Sequence, residues 1–176
     1  MTELLKVYGQ DMPPLRFVGK KYGEADADRG GGYGSKWGEW FDRGYFAPLE
    51  SLYSANQTEL EDGDAYIGLM RYKPGDPFEY WIGMFLAPDA EAPEGYERID
   101  FPASRLGVAW LKGPEQEIYS QEELAMNGCA EKGFFPVPDE QGACWFMERY
   151  GCPRFTTADD EGNVILDICV FSGWNS

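Results

Sequence analysis

Asp167 is the residue of this chain whose surroundings most demand a chemical explanation. It lies in Val164-Ile165-Leu166-Asp167-Ile168-Cys169-Val170-Phe171, a stretch rich in β-branched and aromatic residues with a glycine outside each end, Gly162 and Gly173. That composition reads as a strand. Side chains alternate along a strand, so Asp167 shares a face with Ile165, Cys169 and Phe171, while Val164, Leu166, Ile168 and Val170 form the other. A carboxylate among apolar neighbours is costly unless something pairs with it. Two readings follow. In one the strand is an edge and Asp167 points to water. In the other Asp167 waits in an aromatic pocket for a positively charged or hydrogen-bonding ligand.

The rings for such a pocket are plentiful, since aromatic residues make up 16% of the chain. Tyr66, Trp81, Trp110, Trp145 and Phe146 are the candidates, with ordinary core packing as the alternative for each. A box of rings with an acid at one end suits an organic cation, held by cation–π attraction and charge pairing. Other chemistries are poorly served. The sequence has no histidine and no Gly-x-Ser-x-Gly, so a serine nucleophile in its usual triad is excluded. The four cysteines, Cys129, Cys144, Cys152 and Cys169, show no C-x-x-C spacing, and neither a metal site nor a cofactor is expected. A carboxylate acting as general base on water remains as a hydrolytic route if burial raises its pKa.

The 176 residues, 43% of them hydrophobic, suffice for a real core. Formal net charge is −16, from 15 basic and 31 acidic residues. Phosphate backbones would repel such a chain, so no direct nucleic-acid partner is expected. No stretch approaches the roughly 20 apolar residues that span a bilayer, and residues 1–10 lack the pattern of a signal peptide. The expected location is a reducing cytoplasm.

The elements that must position these residues run in a regular order. After a lead-in arm over 1–14, Leu15–Tyr22 reads as a strand and the glycine-rich run Gly23–Gly34 as a loop. Ser35 is placed to cap a helix through Trp37, Trp40, Phe41, Leu49 and Leu52, broken or kinked at Pro48. Strands over Ala65–Tyr72 and Phe78–Ala87 flank a Pro-Gly turn. Ala87–Gly95 resembles a linker. Tyr96–Phe101 and Arg105–Lys112 then read as two strands or one bent at Pro102, followed by a helix from Pro114 to about Cys129 and strands over Ala143–Tyr150 and Val164–Phe171.

The two halves are alike. Leu15–Gly23 matches Arg105–Gly113, Gly68-Leu69-Met70-Arg71-Tyr72 echoes Phe146-Met147-Glu148-Arg149-Tyr150, and Phe78–Phe85 aligns with Val164–Phe171, setting Trp81 against Asp167. The expectation is an α+β fold of tandem β-α-β-β modules, about 12–90 and 91–176, within a single domain over 1–176. A pseudo-twofold would pair the first strands, lay the helices on one side of an antiparallel sheet and leave a ligand cleft between the modules.

Four segments carry a resemblance to a known family. Pro14-Leu15-Arg16-Phe17-Val18-Gly19 resembles its opening strand, and Phe78-Glu79-Tyr80-Trp81-Ile82-Gly83 its "YEY-hydrophobic-IG" strand. Pro93–Ala103 resembles a "PEGFE-x-I-x-(hydrophobic)-PA" segment, and Phe146–Tyr150 is similar to "FERY" with one inserted residue. The family is the GyrI-like small-molecule-binding domain, the effector-binding domain of AraC- and MerR-type regulators, and the resemblance spans about residues 12–173. It implies a cleft that takes lipophilic, often cationic compounds through rings and a buried acid, which maps to Glu148 or Asp167. Cys169 stands where the family's last strand has a Trp. Since no helix-turn-helix precedes residue 12, the resemblance implies a stand-alone binding module that senses or sequesters such compounds. Two alternatives accompany it: a hydrolase of reactive small molecules using Glu148 or Asp167 with a neighbouring ring, and an acidic protein that binds a protein partner such as DNA gyrase.

Overall fold

In a computed structural model, which describes residues 1–175, one antiparallel sheet of eight strands runs through both halves. The strands are β1 (Glu3–Met12), β2 (Leu15–Tyr22), β3 (Tyr66–Tyr72), β4 (Glu79–Leu86), β5 (Glu97–Phe101), β6 (Ser104–Pro114), β7 (Cys144–Tyr150) and β8 (Asn163–Trp174), in the order β1-β6-β8-β7-β3-β4-β2-β5. The helices are α1 (Gly34–Asp42), α2 (Phe46–Ala55), α3 (Glu115–Ile118) and α4 (Glu122–Glu131). The α+β class and the repeated strand-helix-strand-strand order agree with the sequence reading.

The halves join differently from expectation. The first strands, β2 and β6, do not pair with each other. Instead β2 pairs with β5, the strand leading into β6, and β6 pairs with β1, the strand leading into β2. The two ladders share one register, running through Met12↔Ser104 to Leu15↔Phe101. β1–β2 and β5–β6 are therefore two long strands, each bent at proline (Pro13-Pro14 and Pro102), where the missing N–H and fixed φ interrupt a ladder. The direct seam between the halves lies elsewhere, at β3 and β7.

Each face of the sheet has its own core. Tyr80, Ile82 and Met84 of β4 pack beneath Trp40, Phe46 and Leu49 of the first helix pair. Leu166, Ile168 and Val170 of β8 pack beneath Ile118, Ala125 and Cys129 of the second. The opposite face curves round a third cluster that takes Phe17, Leu69, Trp81, Trp145, Cys169 and Phe171 from both halves.

The helix breaks fall at other places than Pro48. Gly44, in the left-handed region at φ 68°, ends α1, with the Tyr45 N–H returning to the Trp40 carbonyl at 3.0 Å. Only a residue without a Cβ adopts that conformation cheaply. Pro48 falls in the first turn of α2, where a backbone N–H has no partner to lose. Ser35 lies inside α1, with Tyr33 at the cap. The single helix expected after Pro114 is two, α3 and α4.

Candidate functional site

The cross-strand register shows why Arg-Tyr recurs. Arg71 lies opposite Glu79, and Arg149 opposite Asp167. Each arginine meets its acid: Arg71 Nη1 reaches Glu79 Oε2 at 3.3 Å and Arg149 Nε reaches Asp167 Oδ2 at 2.8 Å. The counterpart of Asp167 is thus Glu79 rather than Trp81, two residues from the alignment read off the sequence.

Asp167 is accordingly not an acid awaiting a ligand's charge. Both it and Arg149 are 0% exposed. A second arginine, Arg154, donates from Nη2 to Asp167 at 2.7 Å and also pairs with Asp62 at 3.0 Å. Arg149 donates further to Gln10 Oε1 at 2.7 Å. Two acids and two bases make a locally neutral quartet, the condition under which charges tolerate burial. Arg154 also stacks 4.6 Å over Trp110, which meets the ring of Tyr8 edge-on at 6.0 Å and the Lys6 ammonium at 4.8 Å. Neither the edge reading nor the waiting-acid reading of Asp167 holds.

Glu148 is the opposite case. It is 7% exposed and forms no salt bridge among those of the described residues. Its partners are phenols: the Tyr80 hydroxyl donates to Oε1 at 2.7 Å and that of Tyr150 to Oε2 at 3.1 Å. Trp37 of α1 donates from Nε1 to the Tyr80 hydroxyl at 2.9 Å and sets its ring 4.8 Å from that of Tyr150. Tyr33 stacks on Tyr80 at 4.2 Å, and Phe155 stands edge-on to Tyr150 at 4.7 Å. Gly68 faces Glu148 across the seam; a Cβ there would lie 2.8 Å from Oε1 and 2.4 Å from the Tyr80 hydroxyl, so only glycine leaves room.

Burial without a counterion raises the Glu148 carboxyl to about 7, the phenol hydrogen bonds opposing and the nearby charge of Glu122 adding to the rise. Burial first, then the charge of Glu148, lifts Tyr80 and Tyr150 well above the ordinary phenol range. Both phenols therefore remain donors at neutral pH.

A hollow of about 430 Å³ adjoins this site, lined by Tyr66 and Tyr150 together with Glu50, Tyr53, Cys152 and Thr156. Tyr66 stacks on Phe46 at 3.7 Å and donates to Glu50, and burial followed by that carboxylate pushes its phenol up to about 12. Tyr150 thus lines the hollow and holds the carboxylate.

The eight residues singled out from the sequence divide across the sheet. Glu148, Tyr66 and Phe146 lie on the helix-covered face at the β3–β7 seam, and the register Tyr66↔Tyr150, Gly68↔Glu148, Met70↔Phe146 holds them together. Trp81, Trp145 and Cys169 belong to the opposite core, with Trp110 packed against it and Asp167 beside Trp110. Burial pushes the Cys169 thiol up to about 12, so it is a neutral core group. Sequence reasoning missed Tyr80, Tyr150 and Trp37. Period-two alternation points to the first two, since Tyr150 follows Glu148 by two residues and Tyr80 lies on the face of β4 that Trp81 avoids. No local signal brings in Trp37.

Among the described residues no cluster of His, Cys, Asp and Glu could hold a metal ion, and no helix is long and apolar enough to cross a membrane.

No protein-family model matches the sequence, and no curated protein matches it significantly. Solved structures do match. A Staphylococcus aureus MU50 protein assigned to bacterial transcription regulation aligns at TM-score 0.64 and 17% identity, over 98% of this chain and 99% of that one. SAV2435 bound to tetraphenylphosphonium aligns at TM-score 0.62 and 15% identity, over 98% and 95%. The fold is GyrI-like. EcmrR, from a complex with DNA, aligns at TM-score 0.55 and 15% identity, over 97% of this chain and 58% of EcmrR.

Proposed function

We propose that this protein binds lipophilic organic cations at the β3–β7 seam, with Glu148 as the charge partner, as a sensing or sequestering module. The observation that carries the reading is Glu148 itself: a buried carboxylate surrounded by rings, held by phenol donors and lacking a cationic partner among the described residues. Such a group is expensive to keep. A delocalised cation entering between the rings would relieve that cost twice, through charge pairing and cation–π contact. The hollow beside Tyr66 and Tyr150 offers a place for the apolar bulk of the ligand and falls within the ~300–1,000 Å³ of small-molecule sites. Displacing the Tyr150 hydroxyl would bring the charge to Glu148. That SAV2435, of the same fold, carries tetraphenylphosphonium in its structure supports the choice of ligand class.

The test is a calorimetric titration with tetraphenylphosphonium and with neutral triphenylphosphine oxide. Wild-type protein should bind the cation far better than the neutral compound. Glu148→Gln should weaken the cation by about 30-fold or more, the ~2 kcal/mol lower end for losing one member of a buried charge pair, and leave the neutral compound unaffected. Equal binding of the cation by wild type and Glu148→Gln would sink the proposal. Chromatography of the ligand after long incubation should return it intact, which distinguishes binding from hydrolysis.

A further inference from the structure

A second hollow lies away from Glu148, where the two long strands bend. It measures about 920 Å³ and lies between the β2–β5 ladder, the loop before β7 and the end of β8. Three rings form its apolar wall. Phe101, Phe171 and Trp174 form a triangle of near-parallel rings, with centroids 5.2 Å (Phe101–Phe171), 5.2 Å (Phe171–Trp174) and 6.2 Å (Phe101–Trp174) apart, and Phe101 and Trp174 line the hollow. Trp145 meets Phe101 edge-on at 5.1 Å and lines it too.

The polar edges of these walls are already used. Trp174 Nε1 donates to the Val137 carbonyl at 2.7 Å, and Trp145 Nε1 to Asp139 Oδ2 at 2.8 Å. Arg16 spends its guanidinium on Asp100 at 2.7 Å and on the Ala90 carbonyl at 2.7 Å. Four prolines complete the rim, Pro14, Pro88, Pro102 and Pro138, and proline has no N–H to offer. The hollow therefore presents π faces and C–H surface with few free donors. Its charged lining is one arginine against Asp100, Asp139 and Glu140, which leaves the hollow net negative. A site with these features rejects anions and ligands that need donors, and favours a flat ring system with spread positive charge.

We propose that this hollow is a second binding site, for a planar aromatic cation, which stacks on Trp174 and is drawn in by the carboxylates of the rim. It shares no residue with the Glu148 seam and lies on the other face of the sheet, so the two sites stand or fall separately. Their shapes also differ: the first is closed by tyrosines around a buried acid, the second is an open slot beside a ring stack.

Proflavine, a planar fluorescent cation, is a suitable probe, followed by fluorescence anisotropy. Trp174→Ala should weaken its binding about tenfold, the scale of one lost stacking and cation–π partner. Glu140→Lys, on an exposed loop, should weaken it several-fold, and both rim effects should persist in a Glu148→Gln background, where the seam has lost its charge. Thermal melts establish that each variant folds; should Trp174→Ala fail to, Glu140→Lys carries the test. The proposal is overturned if both rim variants bind proflavine normally, or if Glu148→Gln alone abolishes binding. It is equally overturned if sedimentation shows that the wild type is a dimer which Trp174→Ala dissolves without affecting proflavine, since the slot would then be a face for a second copy.

Discussion

Two buried carboxylates show how differently one chain treats negative charge. Asp167 shares a neutral quartet with Arg149, Arg154 and Asp62, so its charge is compensated within the protein. Glu148 has only Tyr80 and Tyr150. Phenols stabilise a carboxylate less than a guanidinium does, and the carboxyl rises from 4.5 to about 7. The sign of the consequence follows from which state holds the proton. Between pH 4.5 and about 7 the folded state keeps the Glu148 proton while the unfolded state has released it, so stability falls as pH rises through that window and levels off above it. The full shift corresponds to ~3 kcal/mol. Glu148→Gln removes the titration but keeps the acceptor for the phenols. It should stabilise the protein by ~2–3 kcal/mol at about pH 8, with the gain fading to nothing near pH 4. Urea unfolding at several pH values measures it; a gain independent of pH would mean that Glu148 does not titrate in the folded protein. The same linkage makes cation affinity rise toward pH 7, because a bound cation displaces the proton.

At the scale of elements, β7 distributes the chemistry by alternation: Glu148 and Tyr150 face the helices, while Arg149 faces the opposite core. This pattern was legible in the sequence for β8, where the two faces read from Val164–Phe171 are the faces observed. The repeat and its element order were legible too. What remained hidden was pairing across space. Alternation says that Trp81 and Tyr80 point opposite ways, not which of them meets the helices, so an aromatic box built on Trp81, Trp110 and Trp145 was assembled on the wrong side from Glu148. The partners of Asp167 come from β7 and from the loop after it, and Arg154 carries no sequence sign of its destination. The join of the halves was misread because β1 and β5 cross to the other half's first strand, which only the continuous register reveals. Asp167→Asn tests the division of labour between the two acids. It leaves Arg149 undercompensated at zero exposure and should cost about 3–5 kcal/mol of stability in thermal or urea unfolding. The molecules that remain folded should bind tetraphenylphosphonium as the wild type does. A loss of affinity matching that of Glu148→Gln would show that the sheet does not separate the two acids.

The whole molecule adds a field to these local arrangements. A formal net charge of −16 on 176 residues surrounds both hollows with negative potential, and attraction of this kind acts on the approach of a ligand more than on its residence. Screening distinguishes the two roles. Exposed charges further apart than about 10 Å are largely masked at ~0.1 M salt, whereas a pair sealed among rings is not. Tetraphenylphosphonium at the Glu148 seam should therefore associate several-fold more slowly as salt rises from about 20 mM to about 500 mM, with its dissociation rate nearly constant. Neutral triphenylphosphine oxide should show neither change. Stopped-flow fluorescence of the tryptophans, with Trp37 4.8 Å from Tyr150 at the seam, resolves both rates. If salt instead accelerates dissociation and leaves association alone, the cation is held by a charge open to solvent, and the buried carboxylate at the seam is not its partner.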